Sequence, residues 1–510
     1  MPTARRISAA VAVIAAAALA LTGCQLLPNT GGDTPESPEG LEKFYSQELT
    51  WTDEGDLLDS TSVEVPLDWA DPDGDTIEIA IMRHQAIGVS AGSLLMNPGG
   101  PGGSGFDYVR DYAQYLVSPA VLEQFDLIGF DPRGVNHSNA VICYTDPADR
   151  DEYLYGTYDS AYGTQGWVDE LTEREKAYAD ACEANTGPLL AHIDAASVAR
   201  DMDVIRAVLG DDKINYLGYS YGTYLGTMYA ELFPEKVGKM VLDGAVDPSV
   251  SDLDALAFQM GGFESALRAF VVDCQANNPD CPFPGDEDAA MTQIRAMLDG
   301  IDAKGLVAGD GRQLDSATVG TGIADYLYSD SYWPDLAVVF TDLFADQPDS
   351  TFAAADDYNG RNPDGTYADN SNDVYSAVTC AEGDLGTDSV DTLGGIPVLQ
   401  EKAPTIGDYF GYDDTFVLDA LCSNWPYPTP DLPTTYDAEG ADPILVIGTS
   451  NDPATPYANA VSLSKQLSSG VLISYEGEGH TIYAQGVTCI DDTVDAYFID
   501  GTVPASDPMC

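Results

Sequence analysis

Residues 214–226 read INYLGYSYGTYLG. The apolar run Ile214–Leu217 reads as a short buried strand, and Tyr221–Phe233 reads as a helix. Between them stands Gly218-Tyr219-Ser220-Tyr221-Gly222. A serine framed by glycines between a strand and a helix is the pattern of a nucleophile elbow. The turn is tight and its flanks pass close together, which glycine allows. Ser220 would sit at a helix N-terminus, where the backbone dipole favours developing negative charge.

Working outward, short apolar runs alternate with helical stretches. Ser93–Met96, Phe125–Phe130, Lys239–Leu242, Ile444–Ile447 and Val471–Tyr475 read as further strands. Ala195–Leu209 places Val198, Met202, Ile205, Val208 and Leu209 on one helical face, and Asn459–Leu467 is helical as well. This alternation predicts an α/β fold, a mainly parallel sheet with helices on both faces. Between about Ser249 and Tyr436 the alternation is lost. Helical pieces such as Phe263–Val272 and Ser331–Phe344 alternate there with Asp- and Asn-rich loops such as Asp356–Asn372. Because core strands stand on both sides, residues 249–436 are expected to form an inserted, largely helical cap. Residues 46–248 and 437–510 would then be the two parts of the core.

A serine nucleophile needs a base and an orienting acid. The chain has four histidines. His480 follows the last strand in Gly477-Glu478-Gly479-His480, at a strand's C-terminal end, where sites of open α/β sheets lie. His84, His137 and His192 all precede the elbow and are read as structural or surface residues. Asp452 follows the penultimate strand in Gly448-Thr449-Ser450-Asn451-Asp452-Pro453, in the chain order Ser, acid, His. Asp243 and Asp247, after Lys239–Leu242, are the alternative acids. Thr455 is a candidate to hold the Asp452 loop. For the oxyanion the candidate donors are the amide of Tyr221 and that of Gly100, in the loop Asn97-Pro98-Gly99-Gly100-Pro101-Gly102-Gly103-Ser104-Gly105. This glycine run lacks the Lys-Ser/Thr ending of a P-loop and the spacing of a dinucleotide fingerprint.

Together these motifs resemble a family. NPGGPGGSG (97–105), FDLIGFDPRGVNHS (125–138), GYSYGTYLG (218–226), VLDGAVDP (241–248) and DPATP (452–456) are similar to segments of the secreted tripeptidyl aminopeptidases of actinobacteria. Those are α/β-hydrolase serine exopeptidases related to the prolyl aminopeptidases. The likeness runs from about residue 46 to the end. It implies the α/β-hydrolase fold with a cap, a Ser220–Asp452–His480 triad and an oxyanion hole at Gly100 and Tyr221. It implies no cofactor, and peptides with free N-termini as substrates. Pro98 stands where prolyl aminopeptidases carry the His of HGGPG, which moves the likeness toward the tripeptidyl branch. The usual RGxGxS reads Arg133-Gly134-Val135-Asn136-His137-Ser138.

A buried substrate ammonium requires a carboxylate partner. Glu382 and Asp384 in Thr379-Cys380-Ala381-Glu382-Gly383-Asp384 are the candidates, and Trp425 is a candidate pocket wall. Two other readings use the same residues differently. One is an esterase or lipase working through the same triad, since fold does not settle substrate. The other is a binding or surface-structural lipoprotein with a vestigial site.

The chain has 510 residues, 84 Asp and Glu against 21 Lys and Arg, a formal charge of −63 and a pI near 4.1. This excludes nucleic acid as an expected partner, because phosphate binding needs clustered cations. A 44% apolar content supports a substantial core. Residues 1–23 have the form of an export signal, with Arg5 and Arg6 ahead of the apolar run Ala9–Leu21. That run is short for a spanning helix of about 20 residues. Leu21-Thr22-Gly23-Cys24 resembles a bacterial lipobox, with Cys24 as the lipidated residue. The chain is therefore expected to be a lipoprotein on the extracellular face of the cell membrane. Residues 24–45 would form the lipidated segment, and Gln25–Glu42 the flexible tether. Cys143, Cys182, Cys274, Cys281, Cys380, Cys422, Cys489 and Cys510 remain, an even number fitting disulfides in an exported chain. Eight cysteines allow roughly a hundred pairings; pairing in sequence order is expected. No metal is expected, since C-x₂-C pairs with nearby His are absent.

Overall fold

The computed structural model describes residues 38–250, 252–383, 392–411, 416–430, 432–433 and 435–510. Cys24 and the tether up to residue 37 lie outside these, as does Asp384.

Nine strands form one sheet in the order β1-β2-β3-β5-β4-β6-β7-β8-β9. They are β1 (Thr52–Gly55), β2 (Leu58–Pro66), β3 (Thr76–His84), β4 (Ser93–Asn97), β5 (Asp126–Phe130), β6 (Ile214–Tyr219), β7 (Val237–Asp243), β8 (Ile444–Asn451) and β9 (Gly470–Glu478). The six strands from β4 to β9 run parallel. Their continuous apolar runs reflect burial on both faces: every residue of β4 is buried. This is the sheet expected of an α/β hydrolase.

The N-terminal third of the sheet is a finding beyond the sequence reading. Strands β1, β2 and β3 pair antiparallel, and β3 joins β5 antiparallel. Val63, Val65, Ile77, Ile79 and Ile81 pack into the core, with Glu64 and Glu78 between them on the other face of β2 and of the first half of β3. A period of two with one solvated face is the antiparallel signature, and here it lies inside a strongly polar stretch.

The segment between β7 and β8 holds a run of helices, among them Asp252–Asn277, Glu287–Ile301, Ser316–Leu327, Trp333–Phe344 and Ser371–Glu382. Phe263, Leu267, Phe270, Leu298, Ile323 and Phe340 form an apolar cluster of their own. That cluster also takes Trp167 and Leu171 from the long helix Gln165–Thr186, which precedes β6. The segment between β5 and β6 therefore shares in the cap. In the other direction, Val374, Ala377 and Leu421, from the end of the cap segment, pack into the sheet's core.

The disulfides pair in sequence order: Cys143–Cys182, Cys274–Cys281, Cys380–Cys422 and Cys489–Cys510. The last one staples the C-terminal segment across the open side of β9, where Cys510 N donates to Ser474 O at 2.7 Å. Covering an edge strand in this way blocks pairing with another chain.

Because β4, β6, β7, β8 and β9 are parallel, their C-terminal ends lie at one edge of the sheet. The glycine loop, Ser220, Asp243, Asp452 and His480 all belong to those ends or to the loops that follow them.

Candidate active site

Ser220 stands between β6 and the helix Tyr221–Leu232 with φ 54° and ψ −124°. This is a conformation that a residue with a Cβ holds at a cost of about 1–3 kcal/mol. The surroundings enforce it. Its amide donates to Asp243 O at 2.9 Å, and its carbonyl accepts from Thr223 N at 2.8 Å and Thr223 Oγ1 at 2.6 Å. The flanking glycines are required by contact: a Cβ on Gly218 would lie 2.4 Å from Gly222 O, and one on Gly222 would lie 2.7 Å from Asn97 O.

Asp452 is 2% exposed. Its carboxylate accepts from Ala454 N at 2.9 Å, Thr455 N at 2.8 Å and Thr455 Oγ1 at 3.0 Å. Thr455 therefore does hold the acid. Both carboxylate oxygens lie 2.9 Å from His480 Nδ1. Asp452 accepts a proton-bearing Nδ1, which leaves the lone pair on Nε2. His480 Nε2 is buried and has no hydrogen-bond partner among the described residues. Burial alone would lower the His480 pKa. The charge and hydrogen bond of Asp452, with Asp243 behind them, more than offset this and leave it raised.

Ser220 and His480 both approach the end of β7. Ser220 N bonds to Asp243 O, and at the next residue a Cβ on Gly244 would lie 2.9 Å from His480 Cε1. No hydrogen bond joins Ser220 Oγ to His480 Nε2. Such bonds commonly shorten only when substrate is bound.

The glycine loop lies directly against the elbow. A Cβ on Gly99 would be 2.9 Å from Ser220 Cβ and 3.1 Å from Tyr221 N. The Gly99 amide is already given to Asn97 Oδ1 at 2.9 Å. Among the described residues, no protein acceptor takes the amides of Gly100 or Tyr221. These are the two donors the sequence pointed to. Behind the loop Asp131, at the end of β5, accepts from Ser104 Oγ at 2.6 Å, Phe106 N at 3.1 Å and His137 N at 3.0 Å. Burial raises its pKa to about 6. Asp131 was missed, although its place after an apolar run could have flagged it.

Among the described residues, neither alternative acid hydrogen-bonds the His480 ring. Asp243 Oδ2 accepts from Ile482 N at 2.9 Å and Tyr483 N at 2.8 Å, fixing the turn after His480. Asp247 is bonded to Ser249 and Gln466. Among the other histidines, His137 pairs with Asp107 at 3.1 Å and His192 lies 3.9 Å from Asp68. His84 ends β3.

Glu382 ends the helix Ser371–Glu382, and its Oε1 accepts from Tyr221 Oη at 2.8 Å and Ala195 N at 2.6 Å. It therefore reaches the residue that follows the nucleophile. Trp425 packs partly buried against the main core. Tyr328, just beyond the helix Ser316–Leu327, was not anticipated. Its carbonyl accepts from His480 N at 2.8 Å, and its ring meets the imidazole edge-on at 5.6 Å. Nothing in the local sequence marks it, because the contact joins residues far apart in the chain. Among the described residues no cluster of His, Cys, Asp and Glu has the form of a metal site.

Comparison with known proteins adds to this geometry. A family model described as TAP-like protein matches residues 409–510. Serine protease Hip1 of Mycobacterium tuberculosis is 36% identical, over 98% of this chain and 96% of that protein. Carboxylesterase B of the same organism is 37% identical, over 94% of this chain and 92% of its own length. Tripeptidyl aminopeptidase of Streptomyces lividans is 31% identical, over 88% of this chain and 82% of that protein.

Proposed function

This chain belongs to the tripeptidyl-aminopeptidase-like family of α/β-hydrolase serine enzymes, and on that premise we propose that it is an exported serine exopeptidase releasing short peptides, tripeptides among them, from free N-termini. The observation that carries this reading is the buried Asp452–His480 pair at 2.9 Å, set at the strand end that also holds the Ser220 elbow. The protease relatives supply the substrate class.

In this mechanism Ser220 Oγ attacks the scissile carbonyl carbon and His480 Nε2 takes its proton. Asp452 fixes the imidazole tautomer and stabilises the imidazolium. The amides of Gly100 and Tyr221 receive the oxyanion, a role worth roughly 3–4 kcal/mol per donor in comparable sites. The imidazolium then protonates the leaving amine. Water, deprotonated by His480, hydrolyses the acyl-enzyme. No step uses a cofactor.

The cap limits how far a substrate extends beyond its N-terminus. Glu382 and Asp384 are the carboxylates assigned to the substrate ammonium. Support for Glu382 is its reach to the Tyr221 hydroxyl. The Cys24 lipid would hold the enzyme on the outer face of the membrane. Among the described residues no helix is long and apolar enough to cross one.

The test is mass spectrometry of the products of one peptide, offered with a free and with an acetylated N-terminus. Cleavage of the free form alone, with tripeptides appearing in succession, supports the reading. Internal cleavage of both forms makes the enzyme an endopeptidase. Cleavage of neither, with hydrolysis of a simple ester, favours the esterase reading to which the carboxylesterase relative points.

A further inference from the structure

We propose that the cap helix Asp252–Asn277 is a positioning brace for the catalytic acid, and that Gly262 is its point of contact. The loop bearing Asp452 leaves β8 and runs along one face of this helix. Gln259 Nε2 donates to Ala454 O at 3.2 Å, and Ser265 Oγ donates to Asn451 Oδ1 at 2.5 Å. Between these two bonds the helix backbone touches the loop. A Cβ on Gly262 would lie 2.6 Å from Pro453 O and 2.9 Å from Asp452 O. Positions 259, 262 and 265 follow at three-residue steps, so they share a helix face. The next residue back, Gly261, faces open space, with nothing within 4 Å of its would-be Cβ.

The brace continues to the base. Asn451 Nδ2 donates to Glu478 Oε2, two residues before His480. Tyr328, also from the cap, takes the His480 amide on its carbonyl. Both members of the acid–base pair are therefore built on the sheet and held from the cap. The Ser220 backbone owes its hydrogen bonds to Asp243 and Thr223, while the next residue, Tyr221, bonds Glu382 through its hydroxyl. A displacement of the helix Asp252–Asn277 from Asp452 would leave the Ser220 backbone bonds in place and loosen the pair.

This inference rests on the triad reading, and the test separates the two. The groups facing His480 are Asp452 and Thr455 from the acid loop, Asp243 from the end of β7 and Tyr328 from the cap. Asp452 is the partner that holds the His480 pKa up. Moving it away lowers that pKa and loses the orientation of the imidazole.

The experiment measures the rate of phosphonylation of Ser220 by a fluorophosphonate against pH, in the full chain, for wild type, Gly261→Ala and Gly262→Ala. Circular dichroism and a thermal melt report folding. Gly261→Ala is expected to match wild type. Gly262→Ala is expected to react about a hundredfold more slowly, since a displacement near 1 Å costs that much, with its acid limb moved to lower pH. An unreactive wild type would sink the triad reading. A folded Gly262→Ala with wild-type rate and acid limb would overturn the brace alone. So would a slower variant with an unmoved acid limb. Should Gly262→Ala fail to fold, Gln259→Ala combined with Ser265→Ala decides by the same two readouts. A severalfold slower rate with the limb moved down is expected, and wild-type behaviour overturns the proposal.

Discussion

Ser220 and the Asp452–His480 pair, the proposed nucleophile and its acid–base partners, reach the same edge of the sheet by different routes. Ser220 is placed almost wholly by its neighbours: glycines two residues to either side, Thr223 on its carbonyl, and the ends of the adjacent strands β4 and β7. Asp452 and His480 stand 28 residues apart, in two loops tied to each other and to cap helices. The elbow is a local backbone problem, solved by strand, glycine and helix. The pair is a tertiary problem, solved by burial and contacts distant in sequence. Damage to the elbow should therefore act all or none, and damage to the pair should be graded.

The largest effect tests the elbow. Ser220→Ala should leave the fold intact and lower hydrolysis to below about a thousandth of wild type. Activity above that level in a pure sample would break the assignment. Next comes the acid. Asp452→Asn keeps the shape but offers the imidazole the wrong partner, and a loss of about 10⁴ in kcat is expected. A loss of only a few-fold would mean that another group orients His480.

Asp243→Asn should shift rates without abolishing them. His480 must be unprotonated to act as base, and its pKa lies above the ordinary 6.5, so kcat/KM should rise through a pH above that value. Removing the Asp243 charge, which helps to raise it, should move the acid limb to lower pH. The same substitution bears on stability. Burial raises the Asp243 carboxyl pKa from 3.8 to about 6. The folded state therefore holds this proton more tightly than the unfolded chain. That contribution is present below the unfolded value and is lost as pH rises through about 6. Urea titrations should show the pH 4 to pH 7 change of the variant differing from wild type by at most about 3 kcal/mol.

The smallest effect concerns the cap's end. Glu382→Gln retains an oxygen for Ala195 N and Tyr221 Oη and removes only the charge. KM for peptides with free N-termini should rise severalfold, with hydrolysis of a neutral ester unchanged. An equal loss on both substrates would place Glu382 in the scaffold rather than in ammonium recognition.

The same contrast explains what the sequence made legible. The six parallel strands are apolar runs such as SLLM and ILVI, which burial on both faces requires, so they stand out. Strands β2 and β3 alternate Val63, Val65, Ile77 and Ile79 with charged residues in an acidic stretch, and their signal was masked. The helix Gln165–Thr186 hides similarly, with Trp167, Leu171, Tyr178 and Cys182 buried among polar residues. Ser220, Asp452 and His480, the proposed triad, stood out because each follows an apolar run. Tyr328 and Gly262 were not, since neither has a local signature and each matters only through a loop more than a hundred residues away. Disulfide pairing in sequence order proved right, although spacing alone could not select it. The lipid anchor at Cys24 falls outside the described residues and stands as a proposal.

The most direct test of the account is to treat the purified chain with a fluorophosphonate and locate the adduct by peptide mass spectrometry. One adduct on Ser220, absent from Ser220→Ala and strongly slowed in Asp452→Asn, is the predicted result. No adduct, or an adduct on a residue other than Ser220, would contradict it.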